Sequence, residues 1–179
     1  MSNAVVEQVV SEEVGAEQRA ERGAVGRSPE GREKVRGLLM FLEQRMSKHK
    51  MCIFGDSDHL PITSTFSAGL YLREIHIPKG YFVMGKIHKH EHPNILISGK
   101  VVMITEEGVE TITGPHTMLS PAGTKRFLFT LEETHWCTMH KTDFTNAIEA
   151  EADIIAPNYE DMGMEYEAML SKIEDTGGM

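Results

Sequence analysis

An all-β core folded as one small antiparallel barrel or jelly roll, with one α-helix before it and helices after it, is the architecture this sequence predicts. Three observations carry that prediction. Short strand-like runs follow one another from Leu70 to His140. Turn residues separate them at close, regular spacing, as in Pro78-Lys79-Gly80, Ser98-Gly99, Glu106-Glu107-Gly108, Pro121-Ala122-Gly123 and Glu132-Glu133-Thr134, which is the pattern of a meander rather than of alternating strands and helices. No second series of such runs follows, so one domain is expected.

Residues 1–30 contain no aromatic side chain and cluster Ala, Gly, Glu and Arg, a composition that buries too little surface to offset ordering entropy, and they read as a flexible arm. Residues 31–50 form the predicted helix: Ser28 can cap it, Pro29 suits its first position, and Val35, Leu38, Leu39, Leu42 and Met46 recur at helical spacing. Residues 51–65, with Gly55-Asp56-Ser57-Asp58 and Pro61, read as a connector. Residues 66–142 hold the barrel, with strands at 70–77, 81–87, 94–97, 101–105, 109–113, 126–131 and 135–140. Residues 143–179 form an acidic helical tail in which Phe144, Ile148 and Ile155 suggest a first helix. Pro157 ends it, and Tyr166, Met169, Leu170 and Ile173 outline a second, the carboxylates being solvated.

Charge narrows the function classes. The 179 residues carry a formal net charge of −9, and residues 143–179, with ten acidic groups and one basic group, account for all of it. The remaining body is neutral and presents no net cationic field to a phosphate backbone, so nucleic acid is not an expected partner. The longest apolar stretch, Leu38 to Leu42, is far short of a membrane span. Cys52 and Cys137 form no CxxC pair, which fits reduced thiols in a cytoplasm. Ser98-Gly99-Lys100 lacks the upstream glycine of a phosphate loop, and no GxGxxG occurs.

The chemistry concentrates in Lys86-Ile87-His88-Lys89-His90-Glu91-His92-Pro93-Asn94, where three of the nine histidines fall within five residues. Imidazole is the commonest neutral metal ligand, and side chains two apart on a strand share a face. The alternative is a solvated, charged turn, and His90 in particular reads as surface. Gly80, His88, His92 and Gly99 keep the spacing of the first cupin motif, in which Lys86 stands where the first histidine usually is and His92 where a glutamate usually is. Pro121-Ala122-Gly123-Thr124-Lys125-Arg126 resembles the second motif with Arg126 in place of its histidine. The chain thus resembles a cupin-type jelly roll. Over residues 66–142 it is most similar to the uncharacterised cupin-like proteins of tailed phages and prophages, through Tyr71-Leu72-Arg73-Glu74, Gly85-Lys86-Ile87-His88-Lys89, His92-Pro93-Asn94-Ile95 and Trp136-x-x-x-His140. That resemblance implies a host-cell cytoplasmic or virion location.

If Glu132-Glu133-Thr134 closes a hairpin centred on Glu133, His140 lies opposite Arg126, Thr138 opposite Leu128 and Trp136 opposite Thr130. The family frame would turn that face inward, so that His88, His92 and His140 converge as ligands for zinc, iron, manganese or nickel. Lys86 and Arg126 beside a divalent ion are costly in low dielectric; they imply an anionic ligand or displace the metal. Tyr71 and Arg73 share a strand face and can hold a carboxylate, Asn94 alternates with His92, and Trp136 lines the same face as His140. Cys137 reads as a buried thiol. Two functions follow. One is binding of a small anion, with a divalent metal or without one, Lys86 or Arg126 stabilising negative charge. The other is a phage structural or host-interaction role in which the barrel is a scaffold and the arms dock on virion or host proteins. A homo-oligomer is expected in either case.

Overall fold

In the computed structural model, which describes residues 28–46, 52–54 and 60–163, the chain runs α1 (Pro29–Met46), β1 (Cys52–Phe54), β2 (Thr63–Ser67), β3 (Leu70–Ile77), β4 (Phe82–Met84), β5 (Ile87–His88) and β6 (His92–Ser98). It continues through β7 (Lys100–Thr105), β8 (Gly108–Thr113), β9 (His116–Ser120), β10 (Phe127–Thr130), β11 (Thr134–Lys141), α2 (Ala147–Ile154) and β12 (Ile155–Ala156). A single 3-10 turn, Glu160–Met162, follows. The strands build a five-stranded sheet in the order β1-β4-β10-β7-β8, a second in the order β2-β3-β11-β6-β9, and a two-stranded pair β12-β5. All pairs are antiparallel except β1 with β4. The all-β jelly-roll class read from the turn spacing is therefore present, as two facing sheets.

The period-two alternation of the strands explains the core. Val83, Val101 and Leu128 from the first sheet meet Ile77, Leu96 and Trp136 from the second in one apolar cluster. The first sheet turns Phe82, Met84 and Phe127 to its other side, where Leu39 of α1 seals them. Ser28 starts α1 as expected: its Oγ accepts the Gly31 N–H at 3.0 Å. Two largely buried ion pairs, Arg36 with Glu106 and Lys125 with Glu43 (2.8 Å), hold the helix against that sheet. Gly99 joins β6 to β7 at φ 99°, and a Cβ there would stand 2.4 Å from the Glu133 carbonyl oxygen, so only glycine fits this close approach.

Several expectations are corrected. The connector 51–65 contains β1 and the start of β2. The run 81–87 is two strands parted at Gly85, and β9 went unread because His116-Thr117-Met118-Leu119-Ser120 lies on an exposed edge with little apolar content. Strands β10 and β11 do not pair as a hairpin: β10 joins β4 and β7, whereas β11 joins β3 and β6. The turn between them carries the chain from one sheet to the other. In α2 the buried residues are Ala150 and Ile154, while Phe144 and Ile148 are exposed and Ile155 belongs to β12. The predicted arm, apart from residues 28–30, and the second tail helix lie outside the described residues.

Candidate metal centre

Three elements deliver the three imidazoles. His88 ends β5, His92 begins β6, and His140 lies near the end of β11. On β6 and β11 they fall on the inward set, so His92 and His140 are buried with Asn94, Thr138 and Trp136. His88 is placed differently: β12 pairs with β5, setting Ile155 opposite His88, and the Gly123 N–H donates to the His88 carbonyl at 2.8 Å. One potential ligand nitrogen from each ring lies within 4.8 Å of the other two. Ring centroids are 4.2 Å apart for His88 and His92, 4.5 Å for His92 and His140, and 4.9 Å for His88 and His140. The hairpin pairing was wrong, and what links His140 to Arg126 is the arginine charge, which contributes, after desolvation, to lowering the His140 pKa. His90 is exposed, as read.

Burial makes these rings neutral ligands. Desolvation, reinforced by the other two imidazoles and by Arg73 and Arg126, holds His88 well below the ordinary histidine range. Desolvation likewise lowers His92 to about 4, against a raising contribution from its bond to the His90 backbone, and lowers His140 to about 3. His92 Nδ1 donates to the His90 carbonyl at 3.0 Å, which leaves the Nε2 lone pair free. That Nε2 and His88 Nδ1 are buried with no hydrogen-bond partner. His140 Nε2 bonds with Thr138 Oγ1 at 3.2 Å, fixing the third ring. Orphaned ring nitrogens on neutral imidazoles suit a divalent transition metal, which needs deprotonated ligands.

The cations around the cluster divide into two groups. Arg73 Nη2 donates to Glu151 Oε1 at 3.0 Å, Tyr71 Oη donates to the same oxygen at 3.3 Å, and Lys86 Nζ lies 3.8 Å from Glu151 Oε2. The predicted ligand residues Tyr71, Arg73 and Lys86 thus already hold a carboxylate, and it comes from α2. Glu151 was placed among solvated tail carboxylates; instead it reaches the mouth of the sandwich. Nothing in its local sequence separates it from Glu149 or Asp153.

Arg126 is the other group. It is 8% exposed, its Nη1 donates to Asn94 Oδ1 at 2.8 Å, its Nη2 donates to Ser120 Oγ, and it lies 5.6 Å from the Trp136 ring centroid. Desolvation lowers it to about 10, so it remains charged at neutral pH. Asn94 is fully buried and spends both amide ends inside the protein. Its Oδ1 also accepts from Trp136 Nε1 at 3.2 Å, and its Nδ2 donates to Ser120 Oγ and to the His92 carbonyl. Asn94 therefore positions Arg126 and Trp136. Cys137 is buried and its thiol is pushed up by desolvation, which removes it as a nucleophile.

An antiparallel jelly roll with three neutral imidazoles and a buried arginine in its interior defines a β-sandwich protein with a candidate metal and anion site. No protein-family model matches the sequence, and no curated protein matches it. Solved structures to which this chain is similar include proteins described as cupins. The cupin domain of Schizosaccharomyces pombe Cnp3 shares 13% identity at a TM-score of 0.42, covering 61% of this chain and 74% of that one. A cupin superfamily protein of Desulfitobacterium hafniense shares 9% at 0.41, covering 49% and 81%. An acetylacetone dioxygenase of Acinetobacter johnsonii shares 18% at 0.38, covering 46% and 59%. Among the described residues no helix is long and apolar enough to cross a membrane.

Proposed function

We propose that this chain is a cupin-type protein, of the kind its motifs resemble in tailed phages and prophages, that binds a divalent metal ion through His88, His92 and His140 and a small anion beside it. The observation that carries this reading is the pair of buried, partnerless ring nitrogens on His88 and His92, in a cluster where each of the three rings brings one nitrogen within 4.8 Å of the other two. Three imidazoles leave coordination positions for water or ligand and suit zinc, iron, manganese or nickel. A metal held there supplies Lewis acidity next to the Arg126 charge. Elemental analysis of protein purified without an affinity tag tests it. Near-stoichiometric metal in the wild type and its loss in His88→Ala and His92→Ala are expected; the same low content in all three refutes the reading.

A separate observation supports the homo-oligomer expected under either function. Helix α1 covers the outer side of the first sheet, but Ile97 (39% exposed) and Leu119 (60% exposed) lie on the outer side of the second. Sedimentation of the full chain then gives an oligomer that Leu119→Asp weakens. A monomer in both removes this support.

A further inference from the structure

The sandwich contains a cavity of about 80 Å³ beside the imidazole cluster. His88 and Thr138, the residue bonded to His140, form one side of it. Arg73, Lys86 and Arg126 contribute positive charge, and Ile75, Ile77, Val83, Leu128 and Trp136 supply an apolar wall. Two features bear on what belongs there. Arg126 has only neutral hydrogen-bond partners among the described residues, Asn94 and Ser120, so a buried charge stands without a counter-ion. The Nε of Arg73, 7% exposed, is also buried without a partner, although its Nη2 is held by Glu151. A buried cation is costly unless it is paired.

We infer that the anion is a short aliphatic monocarboxylate, with its carboxylate toward Arg126 and its hydrocarbon end among Ile75, Ile77, Val83 and Leu128. This deepens the proposed function and rests on its anion site. The size follows from the volume: 80 Å³, at about 15 Å³ for each small group, holds about five non-hydrogen atoms, and so a carboxylate of about two to four carbons. Its shape excludes sugars and nucleotides, which fill cavities several times larger. Its chemistry disfavours inorganic phosphate, because phosphate would face apolar side chains with its remaining oxygens unpaired. A monocarboxylate leaves no such oxygens, since its other end is hydrocarbon. The single charge matches Arg126, the cation of this lining with no carboxylate partner among the described residues, whereas Arg73 and Lys86 both face Glu151.

Titration calorimetry with propionate, propionamide and inorganic phosphate, on full-length protein before and after metal removal, tests this. Propionate binds, and propionamide, its neutral isostere, and phosphate bind at least tenfold more weakly. Arg126→Gln loses at least tenfold in propionate affinity while keeping its metal content. Ile75→Phe, which fills the apolar end, abolishes propionate binding without touching an imidazole, and serves if the arginine variant does not fold. Equal affinity for propionate and propionamide, preference for phosphate, or no binding of propionate by either metal-loaded or metal-free protein overturns the inference. Metal content is measured separately, so failure of the metal reading appears as absent metal with propionate binding intact.

Discussion

Neutrality of His88, His92 and His140 is imposed by burial, and it makes acid the condition that dismantles the site. In the unfolded chain each ring titrates near the ordinary value of about 6.5, whereas folding holds His92 at about 4 and His140 at about 3, with His88 also well below its ordinary value. Below about 6.5 the unfolded chain therefore binds more protons than the folded one, and stability declines as pH falls. The contribution is complete above that value and is lost progressively down through the folded values of about 4 and 3. Urea midpoints of metal-free protein at pH 7.5, 6 and 5 fall in that order, and a His92→Leu variant shows a shallower decline; parallel curves would contradict the assignment. His88 and His92 were legible in the sequence, because imidazoles four apart on strand-like chain stand out, whereas His140 was reached through a hairpin register that the sheets do not contain. Asn94 was legible as inward-facing by alternation, but its role was not: only the fold brings Arg126, Trp136 and Ser120 to one amide.

Helix α2 and strand β12 turn a tail into part of the site. Asn146 caps α2 by accepting the Glu149 N–H at 3.0 Å, Ala150 and Ile154 pack with Tyr71, and β12 then pairs with β5. This places Glu151 on Arg73, Tyr71 and Lys86. Glu151→Gln removes a charge from that group while nearly preserving its shape, and is expected to destabilise the protein by about 1.5–3 kcal/mol, the range for hydrogen bonds to charged groups. It also frees Arg73, so binding of anions at the mouth strengthens; chemical denaturation and propionate titration check the two effects. The sequence did not disclose this element's role because acidic composition indicates solvation in general, and one carboxylate among ten carries no mark of being different. The hairpin reading failed for a related reason: Glu132-Glu133-Thr134 is a good turn locally, but whether a turn joins neighbouring strands or crosses between sheets is decided by packing.

At the scale of the molecule, the fold class and the course of most strands could be read from turns and alternation, whereas the assignment of strands to sheets could not. Thr63-Ser64-Thr65-Phe66-Ser67 illustrates the limit: β2 is an edge strand with three exposed threonine or serine side chains on one face, so it lacks the apolar signal that marks an interior strand. The imidazoles come from separate strands in this two-sheet assembly, and so a metal that binds only the folded arrangement raises global stability by mass action. At free metal about a hundred times Kd the gain is about 2.7 kcal/mol, which for a chain of this size raises Tm by roughly 5–10 °C. Scanning calorimetry with and without zinc or manganese measures it, and an unchanged Tm in His140→Ala provides the contrast. The pairing of β12 with β5 has a consequence for biosynthesis. A ribosome releases residues 87–88 some seventy residues before the strand that clasps them, so the His88 backbone waits through the synthesis of every later strand, and the three-imidazole cluster belongs to the finished fold rather than to the nascent chain.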